Sequence, residues 1–501
     1  MEYGYFSNQN IREVKMSVSE SNIEISKQTQ LAVESNIFLN YLENLSLPTD
    51  NIIATTEERD IIANNIPVFV HNLPDEVKQN ARYLSKFIGA TAIGLFDAAL
   101  NYIWNEVVLA LRQKAITYGI DLFFDAAVGS PKREFFVSED DLHSLRDAQL
   151  IDTCSKLELI SRITSKKIKH ILDMRNEIAA SHPNAEAIGG YELLGWLDTC
   201  IKDIIRESCS ESAIRVKAFI DQLKSYNDEI DEVTTNQLLN DIKKLSTPHI
   251  HNLAYTFFNW YTATDNNILK INITKFIPAV WAATMDPVRY NLGGRLDSFV
   301  TQLKTKEAEN GNQFLVLVNG LRYKSITSRH AHLEYLSKEL FCAHNGYDNF
   351  STETIYMREI LQYCHCASDI PESISYQLIH VIILCRLGRG FVSYSDGIGS
   401  SAKNLYDEFL KKFDSRCVAI ALQCLWSDDI LCKVDGYSRC RKHLTSILDI
   451  FSELVIDERS KEIITFIKSN INNIKNLNTD PTFIALTSCW DHNWKNTIHI
   501  L

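Results

Sequence analysis

A run of apolar residues on a three-four spacing, between Asp75 and Arg112, constrains the fold more than any other feature of this chain. That spacing places apolar side chains on one face of an α-helix. The run therefore predicts two long helices, or one helix broken near Gly89. Its apolar members are Val77, Ala81, Leu84, Phe87, Ile88, Ile93, Leu95, Phe96, Leu100, Ile103, Trp104, Val107, Val108 and Leu111.

A shortage of turn-forming residues extends this prediction to the whole chain. The 501 residues include only 18 Gly and 10 Pro, which is about half of the average usage of these two residues. Many short strands would need more tight turns than these residues supply. Only Phe314 to Val318, followed by Asn319 and Gly320, resembles a strand and turn. We therefore predict an all-α fold.

The charge balance and the cysteines indicate the setting. The 51 Lys and Arg against 63 Asp and Glu give a net charge of -12, so the whole molecule is not steered toward nucleic acid or anionic lipid, and any such contact is local. The 12 cysteines lack the dense spacing of a secreted scaffold and are typical of reduced thiols. With no signal-peptide pattern and no apolar run near the ~20 residues that span a bilayer, the sequence predicts a cytoplasmic protein with no membrane partner.

Three regions are expected along the chain. Residues 1–74 form an N-terminal helical arm, residues 75–228 a helical bundle of single-domain size, and residues 229–501 a larger helical region that selects the substrate, partner or activation state. The acidic stretch at residues 228–232 and the Ser-Thr-Pro at residues 246–248 mark the boundary between the last two regions.

One segment, residues 173–184, combines Arg175, Asn176 and His182. On an α-helix the arginine and the histidine, seven residues apart, leave the same face, because seven steps of ~100° fall only about 20° short of two turns. Pro183 disfavours the helical conformation at His182, so the imidazole is expected at a helix end. Both side chains can then act on one target.

These three residue types are sufficient to cleave RNA without a metal ion. The ribose 2′-OH serves as nucleophile, His182 moves the proton, Arg175 stabilises the charge that develops on the phosphate, and Asn176 orients either group. The alternative is structural: Arg175 pairs with Asp173 or Glu177 on a solvated face, and His182 is a cation at a helix end.

The pattern Arg175-Asn176-x5-His182 resembles the signature of the HEPN superfamily, in which an Arg, commonly followed by a polar residue, and a His have four to six residues between them; here there are six. HEPN domains are helical bundles, and the resemblance covers roughly residues 75–228. It implies a metal-independent endoribonuclease that leaves a cyclic phosphate and needs no cofactor. It also implies an RNA substrate, a homodimer that shares a composite site, and a role in bacterial antiphage defence or a toxin system.

In this superfamily a polar residue of the preceding long helix often supports the site. Asp97, Asn101 and Glu106 are the candidates here, and Asp97 is the residue we expect to be catalytic. An unpaired carboxylate in an otherwise apolar run is costly. Its structural alternative is a polar residue at the edge of the bundle.

Three basic residues are candidates for RNA binding. Lys167 belongs to a basic run just before the motif and points nearest to Arg175, about 80° away on a continuous helix, although a solvated face is the alternative. Arg386 and Arg389 flank a glycine-rich segment that resembles an anion-binding or RNA-contacting loop, or a tight structural turn.

The spacing of Cys342, His344 and the Cys364-His365-Cys366 triplet does not match a zinc site, so we predict no metal. The sequence thus favours an endoribonuclease. We also expect a regulatory protein partner. The competing interpretation is a non-catalytic module that dimerises or binds RNA or a partner protein.

Overall fold

The computed structural model describes residues 37–128, 130–180, 187–207, 209–390 and 397–488. Within these ranges the regular structure is entirely helical and contains no strand, which confirms the all-α prediction. Phe314, the start of the one strand-like run, lies inside helix Thr305–Leu317. None of the helices in the described ranges is both long and apolar enough to cross a membrane.

The chain divides into two compact units. Unit 1 comprises residues up to Phe257 together with Asp265–Ala283, and unit 2 comprises Phe258–Thr264 together with the residues from Thr284 onward. The helices of unit 1 are α1 (37–44), α2 (Thr56–His71), α3 (Asp75–Asn80), α4 (Arg82–Ile93), α5 (Phe96–Tyr118), α6 (Ile120–Ala127), α7 (Asp147–Lys156), α8 (Arg162–Met174), α9 (Gly190–Cys200), α10 (Glu211–Ser225), α11 (Glu232–Ile242), α13 (Asn267–Thr274) and α14 (Ile277–Ala282), with α12 (Thr247–Ala263) crossing the unit boundary.

Unit 2 is built around α19, in which every residue from Leu378 to Leu387 is buried. Its helices are α15 (Asp286–Thr301), α16 (Thr305–Leu317), α17 (Ile326–Asn345), α18 (Asn349–Tyr363), α19 (Glu372–Leu387), α20 (Ser400–Leu410), α21 (Ser415–Cys424), α22 (Asp428–Gly436), α23 (Ser438–Leu454), α24 (Glu458–Ser469) and α25 (Pro481–Leu486). Short 3₁₀ turns connect several helices in both units.

The predicted break in the long apolar run falls at Gly94 and not near Gly89. Gly94 has a φ of +100°, a conformation that only glycine adopts without strain. A Cβ there would lie 3.0 Å from the Ala54 backbone nitrogen, whereas a Cβ at Gly89 would meet nothing within 4 Å. Backbone geometry and close packing therefore determine where α4 ends and α5 begins. The apolar periodicity of the sequence gives information on neither of them.

A buried carboxylate fixes α4 against α5. Oε2 of Glu106, on α5, accepts hydrogen bonds from the backbone N–H groups of Tyr83 and Leu84 at 3.1 and 3.2 Å. These two donors belong to the first turn of α4 and have no partner within that helix. Burial raises the pKa of Glu106, although the two hydrogen bonds act to lower it. Glu106 is thus a helix cap in the core of unit 1.

The bundle is larger than the expected residues 75–228. Helix α2 packs on α9, where the Glu58 carboxylate accepts a hydrogen bond from the Gly190 N–H. A Cβ at Gly190 would lie 2.6 Å from the Glu58 carbonyl oxygen, so the two helices meet backbone to backbone. Residues 56–71, expected in the arm, are therefore part of unit 1, which also extends past residue 228 to include α11, α13 and α14.

Candidate active site

Helix α8 delivers Arg175 to the site. The Ser161 side chain caps its first turn by accepting from the Thr164 N–H at 3.0 Å, and Ile168, Ile171 and Leu172 anchor it in the core. At Arg175 the winding changes from α to a π-helical turn, Arg175–Ala180. Such turns close i→i+5 hydrogen bonds and are frequent at functional sites. The 100° per residue assumed for the motif therefore does not hold between Arg175 and Ala180.

Two amide oxygens hold the Arg175 guanidinium. Its Nε donates to Oδ1 of Asn101, on α5, at 2.9 Å, and its Nη1 donates to Oδ1 of the adjacent Asn176, also at 2.9 Å. Both acceptors are neutral, so they orient the guanidinium without cancelling its charge. Among the described residues Arg175 makes no ion pair, and the alternative pairing with Asp173 or Glu177 does not form.

Asn101, and not Asp97, is the residue of α5 that reaches Arg175. Asp97 is exposed, and it contributes its backbone carbonyl, which accepts from Nδ2 of Asn101 at 3.1 Å. This bond fixes the Asn101 amide so that its oxygen faces Arg175. All three candidates on α5 were visible in the sequence, but the choice among them depends on the register between α5 and α8, which helical periodicity does not contain.

The rigidity of α5 makes Asn101 a fixed anchor. Ala99, Leu100 and Ile103, which flank it, are fully buried. Trp104, one residue further, donates its indole N–H to the Asp147 carboxylate of α7 at 2.7 Å. Because Asn101 lies on a well-packed helix, it positions the Arg175 guanidinium more firmly than a loop residue would.

His182 lies outside the described residues, so the structure gives no distance between Arg175 and His182. Asn176 is described and exposed, beside Arg175 in the π-helical turn. The structure therefore brings together Arg175, Asn176 and Asn101.

Lys167 is engaged by an acidic partner. Its Nζ lies 2.7 Å from Oδ2 of Asp203, which belongs to a second π-helical turn, Ile201–Ile205, and the Lys167 side chain is about half exposed. The hydrogen bond and the charge of Asp203 raise the pKa of Lys167. Contact between Lys167 and an RNA phosphate would compete with this pair, and its RNA-binding role stays a prediction.

The RNA-binding role expected for Arg386 and Arg389 is corrected by their surroundings in unit 2. Arg386 is fully buried and donates from Nε to Asp407 at 2.6 Å, with Ser446 as a further acceptor. Arg389 donates to the carbonyl oxygens of His344 and Gly346 at the end of α17. A buried guanidinium needs such partners, so Arg386 is a structural residue, and Arg389 caps a helix.

Two of the residues considered as zinc ligands, His344 and Cys364, lie in the core of unit 2, whereas Cys342 is exposed. Nδ1 of His344 donates to the carboxylate of the buried Glu353 at 2.9 Å, and Cys364 is buried. Over the described ranges no group of three or more His, Cys, Asp or Glu side chains is arranged to hold a metal ion.

Comparison with protein-family models, with curated protein sequences and with solved structures finds no match for this chain. A functional assignment therefore depends on the site residues themselves.

Proposed function

We propose that this protein is a metal-independent endoribonuclease of the HEPN type, with Arg175, Asn176 and His182 at its active site. The observation that carries the proposal is the guanidinium of Arg175, which makes no ion pair among the described residues and is held by Asn101 and Asn176 at 2.9 Å each. A guanidinium has five N–H donors, and within the described residues only two of those of Arg175 are used. In the proposal the other three bind a phosphate.

The chemistry follows from those donors. Attack of the ribose 2′-oxygen on the adjacent phosphorus forms a cyclic phosphate and releases the 5′-oxygen of the next nucleotide. Negative charge grows on the non-bridging oxygens, where a fixed guanidinium acts most strongly. In the proposal His182 removes the 2′-OH proton and Asn176 helps hold Arg175. Preorganised donors of this kind accelerate a reaction by ~10²–10³-fold.

The proposal includes a homodimer in which the two motif turns form one composite site, and a role in antiphage defence or as a toxin. Both parts depend on the resemblance of the motif to the HEPN signature. The competing proposal is a module that binds RNA or a partner without cleaving it.

Incubation of the purified chain with total RNA and excess chelator separates the two. We expect cleavage that survives the chelator, yields 2′,3′-cyclic phosphate ends and disappears in His182→Ala. Arg162→Ala, an exposed arginine at the start of the same helix α8, is the matched control and should cleave normally. Identical RNA profiles with and without the protein would favour the non-catalytic module.

A further inference from the structure

We infer that the exposed side of α4, together with the adjoining turn of α5, binds single-stranded RNA. The α4 ledge is defined by Arg82, Tyr83, Lys86 and Tyr102. The role of the ledge beside a cleavage site rests on the proposed function. The binding of single-stranded RNA by the ledge does not.

The ledge is organised by one lysine lying over two aromatic rings. Nζ of Lys86 is 5.2 Å from the ring centroid of Tyr83, on α4, and 5.7 Å from that of Tyr102, on α5. Lys86 is exposed, whereas the two tyrosines are half-buried. Because two rings on different helices attract the ammonium, its position is restricted while its outer N–H groups face water.

A second cation extends the ledge along α4. Arg82 is exposed and lies four residues before Lys86, so the two side chains share one helix face. Helix α4 contains no acidic residue, whereas α3, which precedes it, and α5 both do. Glu106 is buried, with its oxygen on the first turn of α4, and Asp97 is exposed one turn before Asn101. The exposed face of α4 in this region is therefore basic.

The ledge adjoins the Arg175 anchor. Asn101, which accepts from Nε of Arg175 at 2.9 Å, directly precedes Tyr102 in α5. Adjacent Cα atoms are only 3.8 Å apart and their side chains leave an α-helix ~100° apart, so the ledge and the Arg175 anchor lie on neighbouring sides of α5.

The combination of residue types specifies the ligand class. Basic groups that follow a phosphate backbone, interleaved with aromatic faces on which bases stack, are the recurring means of binding single strands with little sequence preference. A duplex hides its base faces in the stack and cannot use the tyrosines. We therefore assign to the ledge unpaired RNA, with a base on Tyr102 and phosphates on Lys86 and Arg82.

Fluorescence anisotropy on the full chain tests this assignment. The parent is His182→Ala, which the proposed mechanism renders non-cleaving, and the probes are a labelled single-stranded RNA and the same sequence annealed to its complement. We expect the parent to bind the single strand more tightly. Tyr102→Leu should weaken that binding about tenfold, and Tyr102→Phe, which keeps the ring, should not. Lys86→Gln should make the plot of log K for RNA binding against log salt concentration less steep, with a slope smaller in magnitude by about 0.7.

Matched controls lie away from the ledge. Tyr191→Leu removes a tyrosine that is 74% exposed on α9, and Lys338→Gln removes an exposed lysine of α17; neither should change binding. Circular dichroism verifies that each variant is folded.

Two results would contradict RNA binding at the ledge. One is parental affinity for the single strand in both Tyr102→Leu and Lys86→Gln, and the other is equal affinity of the parent for duplex and single-stranded RNA. Cleavage by the chain with a native His182 is scored separately. RNA binding at the ledge without RNA cleavage would support the ledge and contradict the proposed function. RNA cleavage together with parental RNA affinity in the ledge variants would support the proposed function and contradict the ledge.

Discussion

At the scale of single residues, arginine has two different environments in this chain. Arg175 is held by neutral amide oxygens, whereas Arg386 is buried against the Asp407 carboxylate. A carboxylate partner neutralises a guanidinium, and a buried pair of this kind is costly to break. An amide partner orients the same group and leaves its charge for a ligand. This difference is why the nuclease proposal depends on Arg175 and not on Arg386.

Asn101 is therefore a positioning residue, and its substitution should act through Arg175. Asn101→Asp places a carboxylate 2.9 Å from Nε of Arg175, and we expect kcat for RNA cleavage to fall about tenfold or more with a smaller change in KM. Asn101→Ala should also lower kcat. Asn105→Ala, half-buried on the same helix, is the control. Unchanged kcat in both Asn101 variants would show that the anchor has no role in the reaction.

A pH-dependent contribution to stability is expected at Asp429, in unit 2. Burial alone would raise the pKa of this carboxyl, but the hydrogen bond and charge of His380 lower it from its ordinary 3.8 to about 2. Because the folded pKa lies below the unfolded one, the stabilisation is present above pH ~4 and is lost as the pH falls from 4 toward 2.

Asp429→Asn should thus lower the free energy of unfolding by about 1 kcal/mol at pH 6, a value reduced because the side chain is partly exposed. The difference from the parent should shrink between pH 4 and pH 3 in urea titrations. Asp428→Asn, its neighbour, should show neither effect. A difference that stays constant down to pH 3 would contradict the assignment.

At the scale of helices, the junction of α4 and α5 positions both Asn101 and the ledge. Gly94→Ala combines a strained φ of +100° with a Cβ 3.0 Å from the Ala54 nitrogen, so we expect a loss of about 1–3 kcal/mol in unfolding free energy. Gly89→Ala lies within α4 in open space and should stabilise by up to about 1 kcal/mol. Chemical denaturation measures both, and equal effects would contradict the account of the junction.

The sequence predicted the helical class, and the apolar periodicity between Asp75 and Arg112 identified side chains that the structure buries, such as Phe87, Leu100 and Trp104. It did not predict the break at Gly94 or the π-helical turn at Arg175, because both depend on backbone geometry and tertiary contacts. For the same reason the sequence did not show that Asn101, and not Asp97, contacts Arg175; a catalytic role for Asp97 stays a prediction. Periodicity places residues on a face, but only packing decides which of them meets a second helix.

At the scale of the whole molecule, the two units carry different parts of the account. Unit 1 holds Arg175, Asn101 and the α4 ledge, and unit 2 holds Arg386 and Arg389 in structural contacts. The partner of Arg386 is 21 residues further along the chain, a separation at which sequence patterns give no indication of contact. The glycines around Arg389 therefore suggested a ligand loop where the structure has a helix cap.

The composite site predicts a link between assembly and activity. Ala179→Arg introduces a long cation into the π-helical turn, Arg175–Ala180, where the proposed dimer forms. We expect the variant to be monomeric by light scattering and inactive toward RNA. An active monomer would contradict a site shared between two copies.

The most direct measurement is the single-turnover rate of RNA cleavage by Arg175→Ala in the presence of chelator, beside the parent and Arg162→Ala. We expect the parent and Arg162→Ala to cleave at equal rates and to leave cyclic phosphate ends, and Arg175→Ala to be slower by ~10²–10³-fold. A parental rate in Arg175→Ala, or a parent that leaves RNA intact, would contradict the central claim that this guanidinium acts on a scissile phosphate.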